Sequence, residues 1–134
     1  MSYYPQRTVV VLEPDPHAQH DTRKGVIISD VNHPDIGPNQ DPQRYTVTCT
    51  TTTDNYSYQP TRLPTRGLET GMFRNPVYTM PWSIHTVEDY ENNDTRDTEA
   101  TDEVQIIAAE GKVTEKAFAR IRDGLYEYLG GTPP

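Results

Sequence analysis

Two stretches of the chain carry side chains that can act together in chemistry. His17-Ala18-Gln19-His20-Asp21-Thr22-Arg23 runs into the apolar segment Gly25-Val26-Ile27-Ile28-Ser29, and Val47-Thr48-Cys49-Thr50-Thr51 follows later. Each is a polar loop or hydroxyl-rich edge held by an apolar strand, so together they can bring one permanent cation and one hydroxyl to a shared site. A guanidinium stays charged at physiological pH and donates two parallel hydrogen bonds to phosphoryl oxygens. Arg23 fits that role. A threonine hydroxyl, Thr50 first and Thr51 second, can donate a further hydrogen bond to negative charge that develops on the same oxygens. His17, His20 and His85 are of the type that moves protons near neutral pH.

The same residues have plainer readings. Arg23 can pair with Asp21 or another surface acid, and a threonine-rich strand is first of all a good half-exposed strand. The four histidines lack the helical His-x-x-x-His spacing of a metal site, so none is expected. The single Cys49 excludes an internal disulfide and a cysteine-based metal cluster, and its neighbours mark it as a small buried residue rather than a nucleophile. Trp82 and the tyrosines can stack on bases or simply pack.

Composition limits the choice. At 134 residues and 15.2 kDa, with 33% hydrophobic residues, the chain suits one small domain spanning 1–134. No apolar run approaches the roughly 20 residues that cross a bilayer, and Met1-Ser2-Tyr3-Tyr4-Pro5 has neither the basic nor the apolar part of a signal peptide. A cytoplasmic protein is the expectation. The net charge of −8 is unusual for a phosphate-binding protein, which normally gains affinity from surplus Lys and Arg. A halophilic source accounts for it, because acidic surfaces keep proteins solvated where salt screens self-repulsion. The alternative is an ordinary acidic protein that binds no nucleic acid.

Stepping along the chain, Thr8-Val9-Val10-Val11-Leu12 is a continuous β-branched run ended by Pro14 and Pro16, which predicts a buried strand and then a loop. Gly25 to Ser29 predicts a second strand. Asn32 to Gln43 holds Pro34, Pro38 and Pro42 and predicts irregular structure. In Arg44 to Thr53, Tyr45, Val47 and Cys49 alternate with Thr46, Thr48 and Thr50, which predicts a third strand with Thr50 on the face opposite the apolar positions. Asp54 to Pro76 is turn-rich. Short strands are expected near Thr61-Arg62-Leu63, Val77-Tyr78-Thr79-Met80 and Ser83-Ile84-His85-Thr86-Val87, and another at Val104 to Ala108. Glu88 to Glu103 is acidic and reads as a solvated loop or disordered insert. Thr114 can cap a helix with Glu115 in its first turn, Val113 and Phe118 as a hydrophobic staple, and an apolar stripe of Ala117, Phe118, Ile121, Leu125 and Leu129 ended by Gly130-Gly131. Several strands and one amphipathic C-terminal helix make a small α+β barrel the expected architecture.

Four patches in this order resemble the MazF/PemK toxin family, the endoribonucleases of type II toxin-antitoxin systems. Asp15-Pro16 and His17 through Arg23 with the following strand are similar to that family's Asp-Pro, Gly-Ser-Glu-Gln and Arg-Pro-hydrophobic-Ser pattern. Val47-Thr48-Cys49-Thr50-Thr51 is similar to its Val-Pro-hydrophobic-Thr-Ser/Thr strand, Ser83 to Val87 to its Gln-Ile-Arg-Thr-Val strand, and Gly111 through Gly130 to its closing segment and helix. Ala18 replaces the loop acid, Lys24 and Thr48 replace prolines, and His85 replaces a basic residue. The resemblance implies an SH3-like barrel with the C-terminal helix, a homodimer, an acidic antitoxin partner, and metal-independent cleavage of single-stranded RNA with no cofactor. It assigns catalysis to Arg23 with Thr50, or Thr51 after a one-residue slip, and substrate binding to Gln19, His20, Lys24 and His85. The acidic segment from Glu88 would then cover the RNA groove as an antitoxin tail does. The alternative function is a non-catalytic barrel that binds a protein or nucleic-acid partner.

Overall fold

The computed structural model describes residues 4–30, 43–89 and 104–131. Strand β1 (Thr8–Glu13) pairs antiparallel with β2 (Arg23–Ile27), and β2 pairs with β3 (Gln43–Thr51). The short β4 (Thr61–Arg62) lies against β5 (Tyr78–Asp89), which also pairs antiparallel with β3. The end of β5 runs parallel to β6 (Gln105–Lys112), and β6 returns to β1. The strands therefore close in a ring, completed by one helix, α1 (Glu115–Tyr128). This is a small α+β protein dominated by its sheet.

The continuous apolar run of β1 is explained by burial on both of its faces. Val10 and Leu12 join Ile27, Tyr45, Val47, Cys49, Met80, Val87 and Ile106 in one core cluster. Val9 and Val26 face the other way, where Leu63, Val113, Ala117 and Ile121 cover them. Side chains alternate across a strand, so one β-branched run feeds two cores. Val113 and Phe118 pack in the second cluster, and Thr114 Oγ1 accepts the Ala117 N–H at 3.1 Å, as a staple and cap require. Gly130 ends the helix with φ of 82°, a left-handed conformation that favours glycine. Leu129, the last residue of the expected stripe, is 76% exposed at the C-cap, one turn beyond Leu125, which still packs against the second cluster.

The structure redraws three segments. Strand β2 begins at Arg23, so Arg23 and Lys24 are strand residues rather than the end of a loop. The two short strands expected around Pro81 are one strand, β5, with an irregularity: β3 passes from Thr48 to Thr50 while β5 passes from Ile84 to Thr79. The extra β5 residues include Pro81, which has no N–H to give a ladder, and such bulges bend a strand and re-aim its side chains. Thr48 Oγ1 secures the bend by donating to the Met80 carbonyl at 2.9 Å. Finally, Glu88 and Asp89 close β5 instead of opening a solvated loop, and Asp89 is only 1% exposed. The rest of the expected acidic insert, residues 90–103, lies outside the described residues, as do residues 32–42 of the expected irregular segment, whose last residue, Gln43, instead opens β3. Among the described residues no helix is long and apolar enough to cross a membrane.

Candidate functional site

Asp15 organises the loop between β1 and β2. Its Oδ1 accepts the His17 N–H at 2.8 Å, and its Oδ2 accepts the N–H groups of Gln19 and His20 at 3.1 and 3.0 Å. The same carboxylate receives both prongs of the Arg23 guanidinium, Nε to Oδ1 at 2.6 Å and Nη2 to Oδ2 at 3.1 Å. The pair is enclosed, with side chains 0% and 6% exposed. Burial alone would push the Asp15 carboxyl up. The Arg23 fork and the three backbone N–H groups outweigh that and hold it well below the usual carboxylate range. The partner of Arg23 is therefore a buried acid eight positions upstream, and not Asp21 or an acid on the surface.

This pairing restricts what Arg23 can do. Its Nη2 also donates to Gln19 Oε1 at 2.9 Å and its Nη1 to the Thr50 carbonyl at 3.0 Å. A guanidinium has five N–H groups, so among the described residues one on Nη1 remains for a ligand. The bidentate fork expected to meet a phosphate meets Asp15 instead.

A cleft of about 430 Å³ opens beside this assembly. Val9, Val26, Leu63 and Val77 form its apolar part, and Gln19, His20, Arg23, Lys24 and Thr50 to Thr53 form a polar wall, with Arg74 and Glu110 also lining it. The two stretches singled out in the sequence thus meet at one cleft. Lys24 Nζ lies 2.6 Å from Glu110 Oε2, an exposed pair of small energetic weight. The two candidate hydroxyls differ. Thr50 Oγ1 donates its proton to the Lys24 carbonyl at 2.9 Å, whereas Thr51 Oγ1 accepts the Thr53 N–H at 3.2 Å and, among the described residues, keeps its proton to give.

His85 is not at this cleft. It stands opposite Val47 on β5, beside a second group of polar residues. His17 Nε2 lies 2.7 Å from Ser83 Oγ, and His85 Nε2 lies 3.0 Å from the same oxygen. The two rings meet edge-on, 6.5 Å apart. Cys49 is buried next to them, and its Sγ and one ring nitrogen from each histidine all lie within 4.8 Å of one another. Burial lowers the His17 pKa, with the Arg23 charge adding to the effect and Asp15 opposing it. Burial and His17 lower that of His85, and burial raises the Cys49 thiol against a hydrogen bond from Ser83. The cluster therefore favours neutral imidazoles and a thiol.

Spacing rules miss this cluster because its members come from a loop and two strands. The one trace in the sequence is the alternation of Ser83 and His85, which shares a strand face. No protein-family model matches the chain, and no curated protein matches it.

Proposed function

We propose that the chain is an SH3-like barrel of the MazF/PemK type whose cleft cleaves single-stranded RNA by attack of a 2′-hydroxyl on the adjacent phosphate. The observation that carries this reading is the meeting of Gln19, His20, Arg23 and Lys24 with Thr50 and Thr51 around one cleft. In the proposed reaction O2′ bonds to phosphorus as the bond from phosphorus to O5′ breaks, leaving a 2′,3′-cyclic phosphate and a 5′-hydroxyl. His20 takes the O2′ proton as general base, and solvent water gives the departing O5′ its proton. The remaining Nη1 proton of Arg23 and the Thr51 hydroxyl donate to the phosphoryl oxygens. Arg23 contributes one rigid, preorganised donor, because Asp15 has already fixed its orientation. Arg74 and Lys24 supply charge along the strand of RNA. The proposed protein is a cytoplasmic homodimer from a halophilic source, restrained by an acidic antitoxin that competes for the same cleft.

A second reading is favoured by the commitment of four of the five Arg23 N–H groups to partners within the chain. With its fork committed to Asp15, the barrel would bind a polyanion or a protein without cutting it. One assay separates the two: the purified chain is mixed with labelled single-stranded RNA at low and high KCl, and products and binding are both measured. Cleavage that ends in cyclic phosphate and falls by roughly 100-fold or more in His20→Gln supports the enzyme. Binding without cleavage supports the second reading, and neither binding nor cleavage overturns both. Arg23→Ala is a poor control here, since it strands a buried carboxylate; Arg23→Lys with a measured melting curve is preferable.

A further inference from the structure

Three soft or borderline donors from separate parts of the chain converge on one buried hydroxyl. Ser83 Oγ is within hydrogen-bond reach of Nε2 on both His17 and His85, so both rings aim the same nitrogen at one point. Ser83 is 3% exposed, whereas His17 and His85 are only half-buried. The ring nitrogens and Cys49 Sγ lie within 4.8 Å of one another. Bonds of about 2.0–2.3 Å to a tetrahedral ion place neighbouring ligand atoms roughly 3.3–3.6 Å apart, so small side-chain rotations close the set.

We propose that His17, Cys49 and His85 bind a zinc-class divalent ion, with the Ser83 hydroxyl or a water as the fourth ligand. Two imidazoles and a thiolate suit zinc and its neighbours among the transition metals and not magnesium or calcium, which take oxygen ligands. The scaffold is rigid where the site needs it. Cys49 and His85 lie on the paired strands β3 and β5, with His85 opposite Val47, two residues from Cys49 along the same face. His17 is anchored through its backbone N–H by the Asp15 carboxylate, which is itself held by Arg23. The ion would tie the loop that follows β1 to both strands. That loop also carries Gln19 and His20, but the site stands on its own geometry and does not depend on the RNA reading.

The test uses the full chain, stripped of metal with a chelator and then titrated with Zn²⁺ and, separately, with Co²⁺. Expected are binding of one ion per chain, a rise in melting temperature, and a cobalt–thiolate charge-transfer band with the visible spectrum of a tetrahedral ion. Cys49→Ser removes the charge-transfer band. His17→Gln and His85→Gln each weaken Zn²⁺ binding by more than about 100-fold, beyond the usual cost of losing an outer-shell partner. His20→Gln leaves metal binding unchanged. Because His85 is half-buried, its variant keeps the test valid even where the core substitution Cys49→Ser fails to fold. Absence of the thiolate band in the wild type, or Zn²⁺ affinity that survives both histidine substitutions, overturns the proposal and assigns the ions to the acidic surface.

Discussion

At the scale of single residues, the Asp15–Arg23 pair decides most of what the cleft can do. Breaking a buried ion pair by removing one partner costs about 3–5 kcal/mol, because the other charge stays buried and unpaired. Asp15→Asn and Arg23→Ala should each lower the urea midpoint accordingly. The pH dependence follows from the direction of the Asp15 shift. Its folded pKa lies below the unfolded value, so its contribution is fully present above about pH 4 to 5 and is lost as the pH falls through the folded value. In acid unfolding, Asp15→Asn should therefore flatten the decline in stability that the wild type shows below about pH 4. The two threonines give a sharper test of the chemistry. Thr51→Val removes the hydroxyl whose proton is available, and should reduce RNA cleavage more than Thr50→Val, whose hydroxyl is already spent on the Lys24 carbonyl. Equal losses, measured as initial rates, would return Thr50 to the reacting phosphate.

At the scale of elements, the helix and β5 show how far local patterns reach. The cap at Thr114, the staple and the glycine stop of α1 all involve residues close in sequence, and they were legible for that reason. What the helix packs against was not. Gly124 faces β4, and a Cβ added there would collide with the Thr61 side chain. Gly124→Ala should cost about 1–3 kcal/mol by overpacking, despite the better helix propensity of alanine. Thr61→Ala should recover part of that loss in the double variant, as read from denaturant midpoints. In β5 the proline signalled a break, correctly in chemistry but not in extent. The strand absorbs Pro81 as a bulge because β3 supplies a partner on either side of it, and that pairing joins residues that are distant in the sequence, such as Thr48 with Ile84 and Thr50 with Thr79.

At the scale of the whole molecule, charge and closure govern behaviour. With a net charge of −8 the folded chain repels itself, and salt screens that repulsion within a Debye length of roughly 10 Å at 0.1 M. Melting temperature should rise as KCl is raised from low to molar concentration. A fall across that range would show that favourable ion pairs outweigh the repulsion and would remove the physical basis for a halophilic source. By itself the sequence determined the α+β class, strands β1 to β3, the C-terminal helix, and the two stretches that meet at the cleft. Hydrophobic periodicity and turn chemistry are local and survive in a linear reading. Only the tertiary structure decided which carboxylate holds Arg23, which threonine keeps a proton to donate, and that His17, Cys49 and His85 meet at Ser83. Each of those depends on strand register and ring closure, where one residue of slip turns a side chain to the opposite face.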